Sequence, residues 1–98
     1  MSFLDIAWAT FDGGSTYRSK YCSVVHTGAG NWEIHLVRSM PAGTYVAFHN
    51  MDGVAGNDNS MIISDFDDTT KTINLVTDAG GAPVESDFAW SIAFIPLT

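Results

Sequence analysis

The sequence predicts an all-β protein, an antiparallel β-sandwich of about seven strands forming one domain over residues 1–98. Three observations lead to that class. Apolar and less apolar residues alternate at period two in several runs, as in a pleated strand with one face in a core. Gly, Asn, Asp and Pro clusters punctuate the chain between those runs, which recur at intervals of roughly 10–15 residues. Helix formers are scarce: the chain has no Gln, two Glu, two Lys and four Leu, while Thr, Ser, Gly and aromatics abound.

The expected strands follow in order. Leu4–Thr10 carries Trp8 and ends at the turn Asp12-Gly13-Gly14-Ser15. Tyr17–His26 alternates Cys22 with Val24 on one face and ends at Gly28-Ala29-Gly30-Asn31, a hairpin turn. In Trp32–Arg38, Trp32, Ile34 and Leu36 share a face opposite Glu33, His35 and Val37, and Pro41-Ala42-Gly43 closes the run. Thr44–Met51 sets Tyr45, Ala47 and His49 against Val46 and Phe48, before Asp52-Gly53 and Gly56-Asn57-Asp58-Asn59. Met61–Phe66 and Thr72–Thr77 flank the turn Asp67-Asp68-Thr69-Thr70, and Asp78-Ala79-Gly80-Gly81 follows. Phe88–Ile95 places Phe88, Trp90, Ile92 and Phe94 opposite Ala89, Ser91, Ala93 and Ile95. The expected core is therefore Trp8, Trp32, Ile34, Leu36, Phe88, Trp90, Ile92 and Phe94. No helical stretch separates the runs, so there is no room for parallel βαβ crossovers. In the last run and in Thr44–Met51, neither face is strongly hydrophilic. Such strands imply that one outer sheet face meets another subunit.

Charge narrows the partners. Four Lys/Arg against eleven Asp/Glu leave a net charge of −7. A nucleic-acid partner would require clustered bases, and an anionic membrane surface would repel this chain. Residues 1–50 balance Asp5, Asp12 and Glu33 with Arg18, Lys20 and Arg38, whereas residues 51–98 hold eight acids and only Lys71. That excess reads first as solubility. One cysteine forms no internal disulfide, and no Cys/His spacing suits zinc. The opening MSFLDIAWATF lacks a basic segment and carries Asp5, so no secretory leader is expected. No apolar run approaches the roughly 18 residues of a membrane helix.

No catalytic constellation stands out. Gly28-Ala29-Gly30 leads into a strand, not into a helix that could cradle phosphate. Cys22 and His26 are about 13 Å apart along an extended strand, too far to act as nucleophile and base. His26, His35 and His49 lack metal-ligand spacing. A calcium loop starting at Asp65 would need Gly and Glu where Thr70 and Val76 stand, although Asp67 and Asp68 could still serve an irregular surface site. Neither a catalytic residue, a cofactor site nor a metal site is assigned. Polar side chains on the loop with Asp52, Asn57, Asp58 and Asn59 form a candidate site for a glycan or a partner.

Four stretches resemble, in order, a β-domain common in tailed-bacteriophage structural proteins. They are Ala7-Trp8-Ala9-Thr10-Phe11-Asp12-Gly13-Gly14, then Ser23-Val24-Val25 with Gly28–Leu36, then Ser39-Met40-Pro41-Ala42-Gly43-Thr44-Tyr45-Val46, and finally Ile73–Thr77 with Val84–Phe94. The resemblance implies a virion component, in a tail fibre, spike or other appendage or on the capsid surface, made in the host cytoplasm. It implies a lectin- or jelly-roll-like sandwich similar to the H-type lectins, a homotrimer, contacts with other virion proteins, and no enzymatic activity. The family's modules usually cap long fibres; this chain opens on its own Met1, so a small stand-alone particle protein is also expected. A lectin-like module recognising host glycans is the alternative.

Overall fold

The computed structural model describes residues 5–14, 16–51, 59–65, 67–77 and 89–97. Among these residues eight strands form: β1 (Ala7–Phe11), β2 (Tyr17–Lys20), β3 (Cys22–Gly28), β4 (Asn31–Leu36), β5 (Tyr45–Met51), β6 (Asn59–Asp65), β7 (Thr70–Thr77) and β8 (Trp90–Pro96). They build two four-stranded sheets, β2-β1-β8-β5 and β3-β4-β7-β6. Every neighbouring pair is antiparallel, and the chain is a β-sandwich.

The run Tyr17–His26 is two strands rather than one. Tyr21 adopts φ of 59°, in the left-handed region that side chains with a Cβ rarely enter. The chain turns there from the first sheet to the second. A period-two pattern continues through such a corner without a break, so alternation alone joins the two strands.

Turn chemistry places the hairpins. Between β1 and β2, Asp12 Oδ1 accepts the Gly14 N–H at 2.8 Å and the Thr16 N–H at 3.2 Å. These bonds hold the Asp12 carboxyl below its ordinary pKa. Gly13 has φ of 88°, which favours glycine, and a Cβ there would crowd the Ala89 nitrogen at 3.2 Å. Ala29 and Gly30 close the β3–β4 hairpin; Gly30 has φ of 74° and its carbonyl accepts the Leu75 N–H at 2.8 Å.

The inner faces meet in one core. From β4 come Trp32, Ile34 and Leu36; from β7, Ile73 and Leu75; from β8, Trp90, Ile92 and Phe94; all are buried. Trp32 meets Trp90 edge-on at 5.5 Å, a geometry aromatic quadrupoles favour, and lies tilted against Phe11 at 5.2 Å. Each such ring contributes on the order of 2–3 kcal/mol through burial. The core also holds a lysine. Lys71 is fully buried, its Nζ donates to the Met40 carbonyl at 2.9 Å, and the ammonium sits 4.7 Å from the Tyr45 ring centre. The carbonyl and the ring together offset part of the cost of removing the charge from water.

Trp8 does not belong to this core. On β1 the buried residues are Ala7, Ala9 and Phe11, and Trp8 is half-buried on the opposite face. Both faces of Ala7-Trp8-Ala9-Thr10-Phe11 are partly apolar, so the pattern leaves the register open. Phe11 decides it by joining the aromatic cluster, and Ala7 and Ala9 lie beside the large Phe94 and Ile92 of β8. Phe88 lies outside the described residues.

Candidate functional site

The outer face of the sheet β2-β1-β8-β5 carries the most distinctive surface. Strand register puts Lys20, Trp8, Ala93 and Phe48 in one row across the four strands. The next row is Arg18, Thr10, Ser91 and Asn50, and Ile95 pairs with Val46 beyond. Phe48 is 60% exposed and Val46 40%, large values for apolar side chains in strand interiors. Small residues of β8, Ser91 and Ala93, lie between the aromatic side chains of β1 and β5. Two strand spacings separate Trp8 from Phe48, about 10 Å. The result is a groove of about 390 Å³, with Trp8 and Phe48 as walls, Ser91 and Ala93 as floor, and Thr10 and Asn50 at one end.

Charge marks the same face. Arg18 and Lys20 are exposed on β2 beside Trp8, and no Asp or Glu occupies this face among the described strand positions. In a chain with eleven acids, that is a local reversal of sign.

The other candidates do not converge. The Cys22 thiol donates to the Trp8 carbonyl at 3.2 Å, and burial raises its pKa above the usual thiol value. His26 stacks on Trp32 at 4.7 Å. The two side chains are thus engaged with different elements. His35 Nε2 lies 3.0 Å from Glu33 Oε1 on the outer face of the second sheet, a surface pair joined by strand periodicity. Asp67 Oδ1 accepts the Thr69 and Thr70 N–H groups, both at 2.7 Å, and the Thr69 hydroxyl at 3.0 Å. Those bonds hold its carboxyl below the ordinary carboxylate range and make it a turn cap. Among the described residues no three His, Cys, Asp or Glu side chains gather as a metal site would need. A second, smaller cavity of about 150 Å³ lies over Ala7, Leu36 and Met40, with Asp5, Tyr21 and Arg38 at its rim. Arg38 and Asp5 approach there only to 3.8 Å.

Of the loop Asp52, Asn57, Asp58 and Asn59, the first three lie outside the described residues; Asn59 opens β6. The structure brings Trp8 into the candidate surface, where the sequence pointed to the core. Arg18, Lys20, Phe48, Thr10 and Asn50 were not singled out as site residues. The available signal was the weakly polar second face of the last strand, whose partners across the sheet could not be read without the register.

Compared with known proteins, the chain matches no family model, no curated protein and no solved structure.

Proposed function

We propose that this chain is a non-enzymatic structural protein of a bacteriophage particle, an appendage module or a capsid-surface subunit. Its work is assembly: it packs against copies of itself, as a homotrimer, and against neighbouring virion proteins. The observation that carries the proposal is the outer face of the first sheet, where Trp8, Ala93, Ile95, Val46 and Phe48 from three adjacent strands form a continuous apolar surface. Isolated exposed apolar residues are ordinary, but a contiguous set across three neighbouring strands of one sheet face marks a contact surface. Four ordered stretches that resemble phage structural β-domains support the same reading, and the sandwich fold agrees with it.

The test is quantitative mass spectrometry of purified particles together with light scattering of the isolated protein. The expected result is the polypeptide at a fixed copy number per particle and a solution mass that is a multiple of 10.6 kDa. Particles of wild-type infectivity that lack the polypeptide would overturn the proposal.

A further inference from the structure

We infer that the groove between Trp8 and Phe48 receives a second copy of this chain, with the partner's Phe48 seated over Ala93. The inference deepens the proposed function and rests on it, because it assigns the assembly surface. Three features point to this occupant.

The first is shape. The face carries a projecting aromatic residue beside a trough floored by small residues, so it is complementary to itself. Phe48 is 60% exposed while Ala93, directly across from it, contributes only a methyl. A knob and a trough on one face let each chain both give and receive the contact, as a closed ring of identical chains such as a trimer requires. The second is charge. Among the described positions β1, β8 and β5 place no charged side chain on this face, so its centre gives up no ion hydration on contact, and Arg18 and Lys20 stand at the β2 edge, where long side chains keep their charged ends in water. The third is area. Four strands about 4.8 Å apart and about five residues long present on the order of 500 Å² per copy once side-chain relief is included. Two copies bury on the order of 1,000 Å², the lower bound of a specific interface. A contact of that size is weak between two isolated molecules and is reinforced by the rest of an assembly.

A sugar is the competing occupant, since aromatic walls with Thr10 and Asn50 nearby could also stack a pyranose. The apolar extension through Val46 and Ile95 favours a protein surface.

The experiment compares the wild-type chain with Phe48→Asp, which removes the knob, and Ala93→Trp, which fills the trough. Mass is measured by light scattering over a concentration series, and thermal unfolding confirms that each variant folds. The expected result is an oligomeric wild type whose apparent dissociation constant rises at least tenfold in both variants, with folding retained. An oligomeric wild type whose mass both folded variants keep overturns the groove assignment and leaves the assembly reading standing. A wild type that is monomeric throughout overturns both. A monomer whose tryptophan fluorescence shifts on titration with methyl hexosides, and no longer shifts in Trp8→Phe, overturns the inference and gives the groove to a sugar. If Ala93→Trp fails to fold, Phe48→Asp decides the matter alone, since its side chain projects from the surface.

Discussion

Thr72 gives the sharpest stability test, because sign and size both follow from its surroundings. It lies on β7 between Glu33 and Ser64, is 8% exposed, and its hydroxyl oxygen is buried with no hydrogen-bond partner among the described residues. A buried hydroxyl that has left water and found no partner costs about 1–3 kcal/mol. Thr72→Val keeps the branched shape and the strand preference, replaces the hydroxyl by a methyl, and gains up to about 0.8 kcal/mol of apolar burial. Discounting for rotation of the hydroxyl toward a transient partner leaves a stabilisation of about 1–2 kcal/mol. For a domain of this size that raises the Tm by roughly 5–15 °C. Urea unfolding should show a higher midpoint at unchanged slope, which separates a stability gain from a change in the unfolded state. A lower midpoint would refute the argument, since it would mean that the hydroxyl is hydrogen-bonded in the folded protein.

Other expectations concern the turns and the thiol. Gly13→Ala should destabilise by about 1–2 kcal/mol, because alanine resists the left-handed angle and its Cβ would crowd the Ala89 nitrogen at 3.2 Å; chemical denaturation measures it, and an unchanged midpoint would contradict the close approach. Asp67 has its pKa lowered from the ordinary 3.8 by the turn N–H groups it accepts. The folded state therefore binds fewer protons than the unfolded state between the two pKa values, and the stabilisation present above pH 3.8 is lost as pH falls through the lower one. Asp67→Asn should flatten the acid limb of a Tm-against-pH curve, and an unaltered limb would remove Asp67 from the account. The Cys22 thiol, its pKa raised by burial, should react with a disulfide reagent at neutral pH well below the rate of a free cysteine. A rate equal to that of the unfolded chain would contradict its burial and its bond to the Trp8 carbonyl.

The legible part of the fold was the part in which one face is plainly apolar. Trp32-Glu33-Ile34-His35-Leu36 and Trp90-Ser91-Ile92-Ala93-Phe94 alternate so strongly that only one register buries them, and both strands take it. Ala7-Trp8-Ala9 does not have that property. Burying Trp8 or burying two alanines are both compatible with the local pattern, and the choice is made by the volume that Phe11, Trp32 and Trp90 already occupy. Tyr21 hid for a different reason: its corner depends on a backbone angle, and tyrosine gives no warning of a left-handed φ as glycine would. Lys71 is the third case. A charged side chain reads as surface from the sequence, and the fold makes an interior position tolerable by bringing the Met40 and Asp67 carbonyls and the Tyr45 ring to its ammonium group. The candidate surface was half legible. The second faces of the fourth and last expected strands were already only weakly polar, but joining them to Trp8, Arg18 and Lys20 required the order β2-β1-β8-β5.

The most direct test of the central claim is the mass of the purified protein in solution, followed by light scattering from dilute to near-millimolar concentration. Association into a defined multiple of 10.6 kDa, strengthened on raising concentration and weakened by Phe48→Asp, is the expected result. A single species of 10.6 kDa across the whole range would contradict a protein whose exposed sheet face exists to be covered by its own kind.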